Sequence, residues 1–268
     1  MKLGVAVRSM GPQSEPDVLL ACVRAAEQAG LADVWVQDHI AIPPDDAEGS
    51  GGRYLDPLIA LAWLASATRR IGLGTGVLVL PYRPPLPTAK AIATVQELSA
   101  GRLLLGVGVG WMEPEFRALG IPRAERGRRS DEMLAFLRDC FAADAVRAND
   151  QDFLFLPRPA APPIYVGGAG EHALRRAVAY GDGWMPMTGD PAKLAPSIAR
   201  LRALASEAGR ETPDVIAFTG FDPSEPARAR DQMSALADLG VSRIVAGTRY
   251  ATAAEFTRHV EFLERHLL

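Results

Sequence analysis

The sequence predicts a TIM barrel, a closed ring of eight parallel strands with a helix after each. Three observations point there. Short β-rich apolar runs alternate with helical runs from one end of the chain to the other, and there are about eight of each. The 268 residues suit a single such barrel, which takes about 250 residues. A doubly wound open sheet is the alternative, but it usually holds fewer strand–helix units at this length.

The strands are expected, in order, over 3–7, 34–36, 71–80, 103–109, 164–166, 183–187, 215–219 and 244–246. The second, Val34-Trp35-Val36, is apolar at every position, as a parallel strand buried on both faces should be. Helices are expected over 16–29, 57–67, 87–99, 130–142, 171–180, 191–208, 225–239 and 252–266. Their apolar residues recur at helical spacing, as in Leu134, Leu137 and Phe141. Several open on proline and two end at glycine (Gly30 and Gly240), the usual helix punctuation. The stretch from Asn149 to Pro163 sets Phe153, Leu154 and Phe155 among prolines and reads as a small insertion before the fifth strand. No linker or low-complexity tract divides the chain, so 1–268 is expected to be one domain.

Composition narrows the function classes. A hydrophobic content of 48% supplies a sizeable core, and a net charge of −3 gives no basic field for nucleic acid. The only two cysteines, Cys22 and Cys140, fall in helical patterns and read as small buried residues of a reducing cytoplasm. The opening MKLGVAVRSM has too short an apolar run for a signal peptide, and no stretch reaches membrane-spanning length. A soluble cytoplasmic protein is expected. Its expected partner is a small-molecule substrate, with a homodimer allowed and neither nucleic acid nor membrane involved.

In a barrel of this kind chemistry sits at the C-terminal strand ends. Five such ends stand out: Asp38-His39, Thr75-Gly76-Val77, Gly106 to Trp111 in GVGVGW, Gly167-Gly168-Ala169-Gly170, and Trp184 to Thr188 in WMPMT. His39 is suited to proton transfer near neutrality, and Asp38 is expected to orient its ring or raise its basicity. A hydrogen-bonded turn is the bland reading of the pair. His172, His259 and His266 read as surface or packing residues. Gly167 to Gly170 run from a strand into a helix, an arrangement that offers free N–H groups to phosphate, or merely a tight turn. Alternate glycines at 106, 108 and 110 leave one strand face bare, which admits a flat ring system or a neighbouring helix. The loop IPPDDAEGSGGRYLDP after the second strand has the composition of a mobile lid, or of solvated slack. The cluster Arg123, Arg126, Arg128 and Arg129 reads as a solvated helix start. No His, Cys or carboxylate group has metal-ligand spacing, so no metal site is expected.

The runs GTGVLVLPYR…K…ATVQELSAGRLLLGVGVGW, FRALGIP…ERGRRSDE and IYVGGAG…ALRRAVAYGDGWMP carry a further signal. They resemble the bacterial luciferase-like superfamily, and within it the coenzyme F420-dependent oxidoreductases of actinobacterial type. The similarity spans nearly the whole chain and implies the same barrel. It implies that Asp38 and His39 lie beside the cofactor ring and assist proton transfer. It implies a non-prolyl cis peptide within Thr75, Gly76 and Val77 that supports the ring from behind. Gly167, Gly168, Ala169 and Gly170 match the loop that holds the cofactor phosphate, and Gly106, Gly108 and Trp111 match residues of the cofactor cleft, with Trp184 in the accompanying GDGW segment. Pro84 stands where many relatives have His, and Gln37 replaces a smaller residue. The long insertion of the luciferases proper is lacking. The implied activity is hydride transfer between coenzyme F420 and a small organic substrate, with His39 as proton donor or acceptor. An FMN-dependent monooxygenase is the first alternative, and a catalytically silent flavin-binding protein the second. The acidic tail of the deazaflavin gives the arginine cluster an alternative role.

Overall fold

The computed structural model describes all 268 residues, and its chain alternates strand and helix throughout. The first half runs β1 (Lys2–Ala6), α1 (Pro16–Gln28), β2 (Asp33–Val36), α2 (Pro57–Ala67), β3 (Gly72–Thr75), β4 (Leu78–Val79), α3 (Pro85–Leu98), β5 (Leu103–Gly108), α4 (Glu113–Ala118) and α5 (Arg126–Ala142). The second half runs β6 (Ala145–Ala148), β7 (Gln151–Leu154), β8 (Ile164–Gly167), α6 (Glu171–Tyr180), β9 (Gly183–Met185), α7 (Pro191–Glu207), β10 (Asp214–Gly220), α8 (Pro226–Asp238), β11 (Arg243–Gly247) and α9 (Ala253–Leu267). Proline opens several helices because its missing N–H falls where no intrahelical partner exists. The Asp56 side chain caps α2 by accepting from the Leu58 and Ile59 amides at 2.9 and 3.1 Å.

Eight strands close into a barrel: β1, β2, β3, β5, β8, β9, β10 and β11, each parallel to its neighbour, with β11 pairing back onto β1. Along each strand alternate side chains face the axis. Trp35, Tyr165, Met185, Ile216 and Val245 fill that interior, with Ala6, Val77, Leu104 and Phe218 around them. The opposite faces pack on the helices, where most of the core lies. No helix is long and apolar enough to cross a membrane.

One expectation needs correction. The run 71–80 is not one strand: it breaks at the Gly76–Val77 peptide, which is cis, and resumes as β4, a two-residue strand beside β5. The stretch from Asn149 to Pro163 is an insertion before the fifth barrel strand, as expected. It opens with the turn and second strand of an antiparallel hairpin, β6–β7, and its Phe155 is fully buried. Cys22 and Cys140 are both buried and free.

The foot of the barrel is closed by charge. Arg243 of β11 reaches across β1 to pair with Asp33 of β2, and Trp35 Nε1 donates to Asp33 at 2.5 Å. Both partners are buried. Gly4 makes the crossing feasible, since a Cβ there would lie 1.9 Å from Asp33 Oδ1.

Candidate active site

At the opposite end, the C-terminal strand ends surround a cavity of about 360 Å³. Gln37, Asp38 and His39 line it from β2, Gly76, Val77 and Val79 from the β3–β4 break, and Gly108 to Trp111 from β5. Gly167 and Gly168 line it from β8. Trp111 and Met187 stand at the rim and leave 68% and 64% of their surface exposed. Large apolar side chains held open beside a cavity are a feature of ligand sites rather than of ordinary surface.

His39 is held by a residue that strand-end reasoning does not find. Its Nδ1 lies 3.0 Å from Oε2 of Glu115 on α4. The Glu115 carboxylate is fully buried and also accepts from the Ile40 amide (2.6 Å), the Ala41 amide (3.0 Å) and the Tyr82 hydroxyl (2.8 Å). Burial alone pushes this carboxyl up, but the hydrogen bonds from His39, the two amides and Tyr82 outweigh it and bring its pKa down to about 2. An ionised carboxylate only accepts, so Nδ1 of His39 must carry the proton and Nε2 keeps its lone pair in the neutral ring. Burial and then Glu115 raise the Tyr82 phenol, which stays a donor. The His39 ring is flanked by Tyr54 (centroids 4.9 Å apart) and Trp111 (6.1 Å).

Asp38 does not perform the orienting role expected of it. It turns away from His39 and takes both Arg83 nitrogens, at 2.5 and 2.9 Å, together with the Val79 amide at 2.8 Å. Burial pushes the Asp38 carboxyl up against the pull of Arg83. For Arg83 burial acts downward, yet Asp38 and Asp56 prevail and its pKa is raised. Arg83 also bonds Asp56 at 2.8 Å, which ties the cap of α2 to the mouth. Asp38 therefore braces the β3–β4 break.

The glycines divide into two groups. Gly108 and Gly167 flank the Val77 side chain: a Cβ would lie 2.5 and 2.8 Å from its methyl groups. Their bare backbone makes room for Val77 at the cavity floor. Gly106 lies beneath that floor, where a Cβ would meet the Thr75 carbonyl at 2.0 Å and the Met185 side chain at 3.0 Å. Its strand face is thus filled rather than bare. Thr75 is buried and donates through Oγ1 to the Gly106 carbonyl at 2.7 Å. Trp184 is buried against the helices, and its Nε1 donates to the Gly168 carbonyl at 2.9 Å, holding the β8 loop from behind. Gly168 (φ 119°) and Gly170 (φ 79°) need glycine's conformational freedom, and Gly170 precedes the first turn of α6. Ala169 and Gly170 are exposed beyond the cavity lining. In the arginine cluster Arg128 pairs with Glu125 and Glu132, Arg129 with Glu125, and Arg123 with Glu113 of α4. The expected lid is anchored at its far end, where Gly11 and Leu55 amides bond Arg53 and Ser9 carbonyls at 3.0 Å.

Comparison with known proteins gives a consistent picture. The model of the luciferase-like monooxygenase family matches residues 1–265. An uncharacterized protein of Mycobacterium tuberculosis is 33% identical over 247 residues, covering 84% of this chain and 83% of its own. The F420-dependent hydroxymycolic acid dehydrogenase of the same organism is also 33% identical, over 85% of this chain and 66% of its own. Among solved structures, a monooxygenase from Streptomyces bottropensis superposes with a TM-score of 0.83 at 21% identity, over 100% of this chain and 98% of its own. An F420-dependent secondary alcohol dehydrogenase superposes with a TM-score of 0.79 at 17% identity, over 99% and 98%. At these identities the superpositions show the shared barrel.

Proposed function

From the premise that the chain belongs to the luciferase-like monooxygenase family, we propose that it is an oxidoreductase that transfers hydride between coenzyme F420 and a small organic substrate. The observation that carries this is His39: a strand-end histidine at the cavity, its Nδ1 fixed by a buried, ionised carboxylate and its Nε2 free to exchange a proton. The relative that uses F420 at 33% identity supports the choice of cofactor.

The residues present fit a flat ring. The cavity lies within the size range of small-molecule sites. Val77 offers an apolar floor, and Gly108 and Gly167 lower the walls beside it. Trp111 and Met187 leave apolar surface at the rim to cover a ring edge. The Gly168 to Gly170 turn, braced by Trp184 and leading into α6, suits a phosphate at the helix start. When bound, the deazaflavin would supply hydride acceptance and donation. The chain's own work is to hold that ring against Val77, to keep one His39 nitrogen as an acceptor, and to exclude water with Trp111 and Met187.

Titrating F420 and FMN separately against the protein's tryptophan fluorescence tests the reading. F420 is expected to bind more tightly. Tight FMN binding with no response to F420 would overturn the proposal in favour of an FMN-dependent monooxygenase. No binding of either would remove the cofactor altogether.

A further inference from the structure

The mouth has a second side, formed by the ends of β1 and β11, which continue the ring beyond β2 and complete it next to the strands that line the cavity. Along β1, Leu3 and Val5 pack toward the helices and Val7 follows them, whereas Gly4 and Ala6 face the axis. The same alternation brings Arg8 to the axis side at the top. On β11, Arg243 and Val245 face the axis, and the register sets Val5 beside Ala246. Continued by three residues, that register sets Arg8 level with Arg249. The two segments touch, since the Arg8 amide donates to the Tyr250 hydroxyl at 2.9 Å.

Neither guanidinium has a carboxylate partner. Arg8 Nη2 donates to the Gly49 carbonyl at 3.0 Å, while its Nε is shut off from solvent with no acceptor. Arg249 is exposed at the loop that follows β11. Arg8 and Arg249 stand outside the cavity lining, but the neighbours of Arg8 join it to the His39 side of the cavity. Its neighbour Ser9 bonds Gln37 and accepts the Leu55 amide, and Met10 bridges to Tyr54, whose ring stacks beside His39. A guanidinium stays charged at any relevant pH, and a buried N–H without an acceptor is costly. An oxyanion at their terminal nitrogens would supply the charge partner that both arginines lack.

We propose that Arg8, together with Arg249, binds a carboxylate of the organic substrate and thereby selects organic acids over neutral molecules at this mouth. The proposal rests on the reading of the mouth as the site of hydride transfer. A carboxylate matches the planar fork of arginine, and the apolar rim would take the remainder of the molecule.

Benzoate and benzamide, alike except for charge, serve as probes in ligand-detected NMR titrations at low salt. Wild type is expected to bind benzoate at least about tenfold more tightly than benzamide, the usual scale of a charged hydrogen bond. The preference should vanish in Arg8→Gln, shrink in Arg249→Gln and survive in part in Arg8→Lys. Unchanged benzamide binding shows that the mouth is intact; if Arg8→Gln loses it, Arg8→Lys and Arg249→Gln decide. Equal binding of the two probes by wild type would overturn the proposal, as would a benzoate preference retained in the double glutamine variant. A parallel loss of F420 affinity in Arg8→Gln would overturn it too, assigning the cation to the acidic part of the cofactor. Benzoate preference without F420 binding would leave the anion site standing and remove only the hydride-transfer reading.

Discussion

Glu115 accepts four hydrogen bonds on two oxygens: Oε1 takes the Ile40 and Ala41 amides, Oε2 takes Nδ1 of His39 and the Tyr82 hydroxyl. Glu115→Gln keeps the first oxygen but sets an NH₂ against the other two donors. The least costly relief is for His39 Nδ1 to become an acceptor, which moves its proton to Nε2 and removes the lone pair from the cavity. His39→Gln should lower turnover by about 10²–10⁴, the usual worth of a positioned acid or base. Glu115→Gln should lose a comparable factor with the imidazole still present, and nitrogen-15 NMR of His39 should report the tautomer change. Full turnover in His39→Gln would reduce this end of β2 to a turn. Glu115 also makes stability pH-dependent. Its folded pKa of about 2 lies below the ordinary 4.5, a difference worth about 3 kcal/mol. A depressed carboxyl stabilises above its unfolded pKa and loses that contribution as pH falls through the folded value. Urea midpoints of wild type should therefore fall between about pH 4.5 and 2 more steeply than those of Glu115→Gln.

At the scale of elements, the glycines of β5 separate fold from site. Gly106→Ala would drive a Cβ to 2.0 Å from the Thr75 carbonyl, a backbone atom that cannot yield locally. It should destabilise the barrel by about 1–3 kcal/mol, as overpacking does, measured by thermal melting. Gly108→Ala meets only the Val77 methyl, at 2.5 Å. Val77 is β-branched with few rotamers, so it should be pushed into the cavity. The fold should survive while cofactor affinity drops about tenfold, the cost of a misplaced group of about 1.4 kcal/mol. Gly108→Ala combined with Val77→Ala relieves the clash at the expense of part of the floor and should recover some of that affinity, a rescue that a general loss of structure would not allow.

For the molecule as a whole, closure depends on joining the first strands to the last. Asp33 and Arg243 span that seam at the foot of the barrel, buried on both sides. Asp33→Asn leaves an uncompensated buried cation and should cost about 3–5 kcal/mol, read as a lower denaturation midpoint. Because the seam lies at the end of the barrel away from the mouth, affinity for the proposed cofactor per folded molecule should be unchanged. A weakened affinity would mean that foot and mouth are coupled.

The sequence by itself determined the barrel, because strand and helix periods are local and repeat along the chain. It also marked out His39, Gly108, Trp111 and the Gly167–Gly168 turn, since strand ends converge at one mouth in this architecture. Tertiary structure alone decided the partners. Glu115 comes from α4, a helix too short to announce itself, and its burial beside His39 depends on a contact 76 residues away in sequence. Arg83 claims Asp38 across 45 residues, and Arg8 meets the loop after β11 through barrel closure. Whether a carboxylate orients a histidine or pairs with an arginine is set by which side chains the closed barrel brings within about 3 Å, and no local pattern encodes that choice.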